Sequence, residues 1–99
     1  MDARSAAVRI LLSVLQDGRS LTDALDAVSL PSGPDNALAR ELAYGVLRWY
    51  ERLDALARLL LAKPLKAKDR EIHLLVLVGL YQLLEMRVPP HAAVSATAE

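Results

Sequence analysis

Four side chains recur at every fourth position near the middle of the sequence, and their types suit binding to RNA. They are Arg40, Tyr44, Arg48 and Arg52. Residues four apart are neighbours on the surface of a helix, so these four would form one slowly rotating stripe. Guanidinium groups contact phosphates and an aromatic ring stacks on a base. The stripe therefore fits an RNA-binding face.

The same stripe also fits an ordinary solvated face. The chain has 12 Lys plus Arg and 12 Asp plus Glu, so its formal net charge is zero. A tight nucleic-acid binder usually carries a strong basic charge. From the stripe alone we favour the solvated face. In that interpretation Tyr44 is half buried, and Arg48 and Arg52 pair with Glu41, Glu51 or Asp54.

A second group of basic residues flanks Pro64. Basic residues at the C-terminal end of a helix complement its dipole, so this group also has a purely structural explanation. If the chain binds RNA, we expect weak, salt-dependent contacts from both groups and from the first helix. The predicted RNA-contacting residues are Arg4, Arg9, Arg40, Tyr44, Arg48, Arg52, Lys63, Lys66, Lys68 and Arg70.

Side chains for catalysis or metal binding are scarce. The only histidines are His73 and His91, and there is no cysteine. No Ser/Cys–His–carboxylate set is recognisable, and no His/Asp/Glu cluster has the spacing of metal ligands. The four glycines form neither a phosphate loop nor a dinucleotide fingerprint. We therefore predict no catalytic, cofactor-binding or metal-binding residue in this chain.

The spacing of leucine and alanine predicts helices along the whole chain and no strand. Asp35 should cap a helix that reaches about Leu60, either as one rod or as two nearly collinear helices kinked near Gly45. Other helices are predicted over Ala3–Gln16, from Ser20 to Val28 with Ser20 as N-cap, over Asp69–Met86, and after Pro90. The 69–86 helix should bury Ile72, Leu75, Val76, Gly79, Leu80, Leu83 and Leu84.

Two runs of sequence resemble the NusB-like domain. One is ELAYGVLR at Glu41–Arg48, and the other is VGLYQLL at Val78–Leu84, followed by RVPPHAAV at Arg87–Val94. The variants GVLR, GLYQ and PHAA are similar to one branch of that fold. This branch is the N-terminal domain of the RsmB/Sun/Fmu family of small-subunit rRNA cytosine-5 methyltransferases.

That resemblance implies an all-α, NusB-like bundle of about five helices over residues 1–99, with the C-terminal helices of the fold missing from this chain. It implies a non-catalytic domain that binds and orients rRNA. S-adenosylmethionine would belong only to a catalytic methyltransferase domain outside this chain, and that domain would be a partner. The alternatives are a NusB-type transcription antitermination factor and a structural docking domain without RNA contact.

The 69–86 helix is apolar on more than one face, because Leu74, Leu77 and Val78 lie off its predicted buried stripe. Uncovered apolar side chains forgo burial free energy. We therefore predict self-association through this helix or the one after Pro90. No apolar run reaches the roughly 20 residues that span a bilayer, and we expect a cytoplasmic protein without a membrane partner.

Overall fold

The structure is a computed structural model that describes residues 2–28, 33–61, 66 and 69–86. Every regular element in these ranges is an α-helix, which confirms the all-α prediction. The segment after Pro90, including His91, lies outside the described residues, as do Lys63 and Lys68. The helices are α1 (Ala3–Leu15), α2 (Leu21–Ala27), α3 (Pro34–Arg48), α4 (Tyr50–Leu60) and α5 (Arg70–Leu84).

Side-chain caps begin the first two helices. The Ser5 backbone N–H donates to Asp2 Oδ1 over 2.7 Å, and this bond holds the pKa of Asp2 below its usual 3.8. The Asp23 N–H donates to Ser20 Oγ over 3.1 Å, which confirms Ser20 as the N-cap of α2. Each cap satisfies a backbone donor that has no partner within the helix.

The start of α3 differs from the prediction, and Asp35 as its cap is wrong. Gly33 is the N-cap, with a φ of 139° that suits glycine, and Pro34 is the first helical residue. Proline fits that position because its fixed φ is helical and its missing N–H needs no partner there. Asp35 lies in the first turn, where its carboxylate complements the helix dipole.

The stripe of residues 38–60 folds as two helices, and the break between them lies at Trp49 rather than near Gly45. Trp49 has φ −108° and ψ 20°, outside helical geometry. Gly45 stays inside α3, and a Cβ at that position would overlap the ring of Tyr81 from α5. Gly45 therefore permits a close approach of two helices and does not cause the kink.

The core forms where α1, α3 and α5 pack together, with α2 against α1 and α4 against α5. Its members are small or branched apolar side chains from four helices. The largest cluster of buried residues comprises Ala7, Val8, Leu11, Leu42, Val46, Leu53, Ala57, Leu74, Leu77 and Val78.

The face of α5 that enters the core is not the predicted one. Leu74, Leu77 and Val78 are fully buried, whereas Ile72 is 54% exposed and Leu84 is 45% exposed. Of the predicted stripe, Gly79 is buried, and Leu75, Val76, Leu80 and Leu83 are half-buried. Apolar residues cover most of the circumference of α5, so the sequence pattern does not fix its rotation. Packing against α1, α3 and α4 fixes it.

Candidate nucleic-acid interface

The predicted stripe of arginines and tyrosine lies on the surface. Arg40, Tyr44 and Arg48 are exposed on α3, and Arg52 is exposed on α4. Tyr44 is 54% exposed, which is more than the solvated-face interpretation expected for a half-buried ring. All four side chains are therefore open to an external ligand.

Trp49, at the junction of α3 and α4, joins two of these arginines. The guanidinium carbon of Arg48 lies over its ring, 5.4 Å from the centroid, and that of Arg52 lies 5.8 Å away. Both distances are within the range of cation–π attraction. We call Arg48, Trp49 and Arg52 the arginine–tryptophan patch. Trp49 is not among the predicted RNA-contacting residues, although its position next to Arg48 and three before Arg52 is a signal that could have identified it.

The ion pairs of these arginines differ from the expected ones. Arg52 Nη1 lies 3.6 Å from Glu85 Oε1 of α5, and 60% of the Arg52 side chain is exposed. An exposed pair of that length contributes little to stability. Within the described ranges, Arg48 lies within ion-pairing distance of no carboxylate. The proposed pairing with Glu41, Glu51 or Asp54 is therefore wrong for both arginines.

Tyr81 of α5 packs against α3 at Gly45. Its ring lies against Gly45, and its pKa is raised above 10.0, first by burial and then by the charges of Glu41 and Glu85. The positive charge of Arg48 acts in the opposite direction. The charges of Glu41, Glu85 and Arg48 therefore all act on this phenol, which lies where α5 packs against α3.

Arg4 is tied to the interior. Its Nε donates to Gln82 Oε1 over 3.0 Å, and Gln82 is only 1% exposed. Without Arg4, the buried side-chain amide of Gln82 would have an unsatisfied acceptor, which destabilises the fold. Arg9 is exposed instead, on the rim of a groove of about 300 Å³ between α1 and α5. The other lining residues are Ser5, Val8, Glu71, Ile72 and Leu75.

The second basic group is only partly described. Lys66 is exposed, and Arg70 is half-buried at the first position of α5. Among all the predicted RNA-contacting residues in the described ranges, Arg48 and Arg52 are the pair that a shared side chain brings together.

A different cluster connects α4 to α5. His73 Nε2 lies 2.8 Å from Asp54 Oδ1, and Arg58 Nε donates to Asp54 Oδ2 over 3.0 Å. The ring of Tyr50 meets that of His73 edge-on, with centroids 6.5 Å apart. We call Asp54, Arg58 and His73 the Asp54 cluster. Both carboxylate oxygens of Asp54 have a partner within the cluster, and His73 lies on α5. The cluster therefore acts as a structural clasp between α4 and α5.

Neither a metal-binding cluster nor a membrane-spanning helix lies in the described ranges. No group of three or more His, Cys, Asp or Glu residues there could hold a metal ion. Among the helices of residues 2–28, 33–61 and 69–86, none is long and apolar enough to cross a membrane.

Comparison with known proteins identifies the family. The NusB family model matches residues 1–99. The chain is 49% identical, over 100 residues, to the ribosomal RNA small subunit methyltransferase B of Vibrio cholerae serotype O1. It is 44% identical over 97 residues to the Escherichia coli O1:K1 protein of the same name. These matches cover 100% and 97% of the chain but only 23% of each relative. The chain belongs to the NusB family.

Proposed function

We propose that this NusB domain is a non-catalytic RNA-binding module of a small-subunit rRNA methyltransferase. The observation that carries the proposal is the row of exposed side chains from Arg40 through Tyr44 to Arg48 and Arg52. The named relatives supply the choice of rRNA as the ligand, since ribosomal RNA stands in their names.

The row offers the two kinds of contact that RNA needs. Guanidiniums pair with backbone phosphates, and the exposed ring of Tyr44 offers a surface on which a base can stack. Because the formal net charge of the chain is zero, electrostatic attraction of RNA is confined to this face. We therefore expect modest affinity that falls steeply with salt.

Methyl transfer, in this proposal, belongs to another part of a longer protein. The matched relatives are more than four times as long as the matching region, since it covers 23% of each. Nucleotide cofactors are commonly bound at a glycine-rich turn at the carboxyl ends of parallel strands, and the described elements here are helices. The domain acts in the cytoplasm in this proposal, and calorimetry with S-adenosylmethionine should give no binding heat.

Neutralising the patch tests RNA binding. The double variant Arg48→Gln, Arg52→Gln should bind a small-subunit rRNA fragment about tenfold more weakly, with a shallower salt dependence. The matched control is Arg19→Gln, Arg58→Gln, which removes the same charge from exposed arginines outside the row. Because Arg58 also bonds Asp54, circular dichroism and urea denaturation check that both variants fold and remain folded in the assay.

Equal affinities for the two double variants would contradict the row as the binding face, and no measurable rRNA binding by the wild-type chain would favour the docking domain without RNA contact. Binding to an antitermination RNA in preference to rRNA would favour the transcription factor. Both measurements use the same filter-binding or fluorescence-anisotropy assay.

Self-association remains a separate proposal, now with a different basis. Leu74, Leu77 and Val78 are buried, so the exposed residues expected to drive it on α5 are Ile72 and Leu84. Light scattering over a range of concentrations tests it, and a monomer at every concentration would exclude it.

A further inference from the structure

Trp49 contacts both the core and the two arginines of the patch. Its indole is partly buried and packs against the main core cluster. The guanidiniums of Arg48 and Arg52 lie over the same ring at 5.4 and 5.8 Å. Because the core holds the ring, the ring provides a fixed surface for the long side chains of Arg48 and Arg52. We call this surface the seat.

A guanidinium that lies over an indole ring keeps its N–H groups available. The indole ring offers them no acceptor atom, because its one polar group is an N–H donor. Contact with an indole ring therefore orders an arginine without using its donors. A carboxylate partner has the opposite effect, as at Arg58, whose Nε is already bonded to Asp54 over 3.0 Å.

We propose that Trp49 is a positioning residue that pre-orders Arg48 and Arg52 for two phosphates of one RNA backbone. This inference rests on the proposed function and adds a residue to it. Pre-ordering matters because each long side chain that a ligand immobilises loses conformational entropy on binding. With the ring in place, most of that loss occurs on folding instead.

Glu85 has a secondary role in this arrangement. Its carboxylate lies 3.6 Å from Arg52 Nη1, at the α5 end of the patch. This contact is long and exposed, so a phosphate can replace it at little expense. Neutralising Glu85 should therefore leave RNA affinity unchanged or slightly higher, and should not mimic loss of the ring.

The first test compares Trp49→Leu with Trp49→Phe in rRNA-fragment binding. Trp49→Leu keeps an apolar side chain at the junction but removes the ring, and should lower affinity about fivefold. Its plot of log affinity against log salt should keep the wild-type slope, because both arginines still reach phosphates. Trp49→Phe should retain most of the affinity.

The second test repeats Trp49→Leu in the Arg48→Gln, Arg52→Gln background. If Trp49 acts only through the arginines, the substitution should have no further effect there. An equal loss in both backgrounds would mean a general structural role and would overturn the inference. Wild-type affinity for Trp49→Leu would overturn it as well, while leaving the proposed function intact.

A third measurement needs no RNA. Trp49 is the only tryptophan, so its ring current should displace the NMR signals of the Arg48 and Arg52 Nε–H groups. These displacements should vanish in Trp49→Leu. Unshifted signals in the wild-type chain would overturn the seat itself. Shifted signals in a wild-type chain that fails to bind the rRNA fragment would instead reject the proposed function, and with it the phosphate role of the seat.

Discussion

The two ends of α4 hold arginines in opposite ways. Near its start, Arg52 lies over Trp49 and makes a 3.6 Å ion pair with Glu85. Near its end, Arg58 Nε donates to Asp54 Oδ2 over 3.0 Å, and the other carboxylate oxygen of Asp54 contacts His73. Both arginine side chains are largely exposed, at 60% and 78%. Exposure alone therefore does not reveal which guanidinium is available to a ligand.

The difference begins in the local sequence. Four residues before Arg58 stands Asp54, and an acid four residues ahead of a base is the favourable order on a helix. Four residues before Arg52 stands Arg48, and four before Arg48 stands Tyr44. The arginines of the patch thus lack a carboxylate four residues before them. Trp49, directly after Arg48 and three residues before Arg52, lies against both guanidiniums instead.

Removing each carboxylate should separate the two ends most clearly. Asp54→Ala deletes the acceptor of two side-chain hydrogen bonds, and should lower the free energy of unfolding by about 2 kcal/mol. Glu85→Ala deletes only a long, exposed pair and should change it by less than about 0.5 kcal/mol. Urea denaturation measures both. Equal losses would erase the distinction between clasp and patch.

Arg4 provides a third case, because its guanidinium is hydrogen-bonded to the buried Gln82. Arg4→Leu leaves the buried amide of Gln82 without its partner and should lower the free energy of unfolding by about 1.5 kcal/mol. The double variant with Gln82→Leu should recover most of this loss, because neither polar group then remains. Thermal or urea unfolding decides it. If Arg4→Leu leaves the free energy of unfolding unchanged and weakens RNA binding, Arg4 contacts RNA instead.

Gly45→Ala should disturb the packing of α3, which carries Arg48, against α5, which carries Glu85. The added Cβ overlaps the Tyr81 ring, and the lost packing outweighs the higher helix propensity of alanine. We expect a net loss of about 1 kcal/mol in the free energy of unfolding. In a Tyr81→Ala background the same change should become stabilising. Stabilisation in the wild-type background would show that Tyr81 moves aside without penalty.

The smallest expected effect is the alkaline titration of Tyr81. Its pKa is raised in the folded state, so unfolded chains ionise first as the pH rises past 10. The contribution of Tyr81 to stability is present below pH 10 and is lost as the pH climbs through the raised folded pKa. Phenolate absorbance of wild type minus Tyr81→Phe gives that pKa. A difference spectrum with its midpoint at or below pH 10 would contradict the burial of this phenol.

Local patterns in the sequence determined much of this protein. Leucine and alanine spacing predicted the helices, the Ser20 cap needed only three residues of context, and the GVLR and GLYQ runs resembled the NusB-like domain. The four-residue spacing from Arg40 to Arg52 also identified an exposed row. Each of these patterns depends only on residues that are close in the sequence, so it can be read without knowing how the helices pack.

Tertiary structure alone decided which groups face one another. Arg4 meets Gln82 across 78 positions, and Asp54 meets His73 across 19. The rotation of α5 could not be read from a helix that is apolar on most sides, and that rotation buries Gln82 and presents Tyr81 to Gly45. Which arginines remain open to a ligand follows from such contacts, because a guanidinium stays available where its nearest acceptor is distant, as at Arg52, and not where it is hydrogen-bonded, as at Arg4.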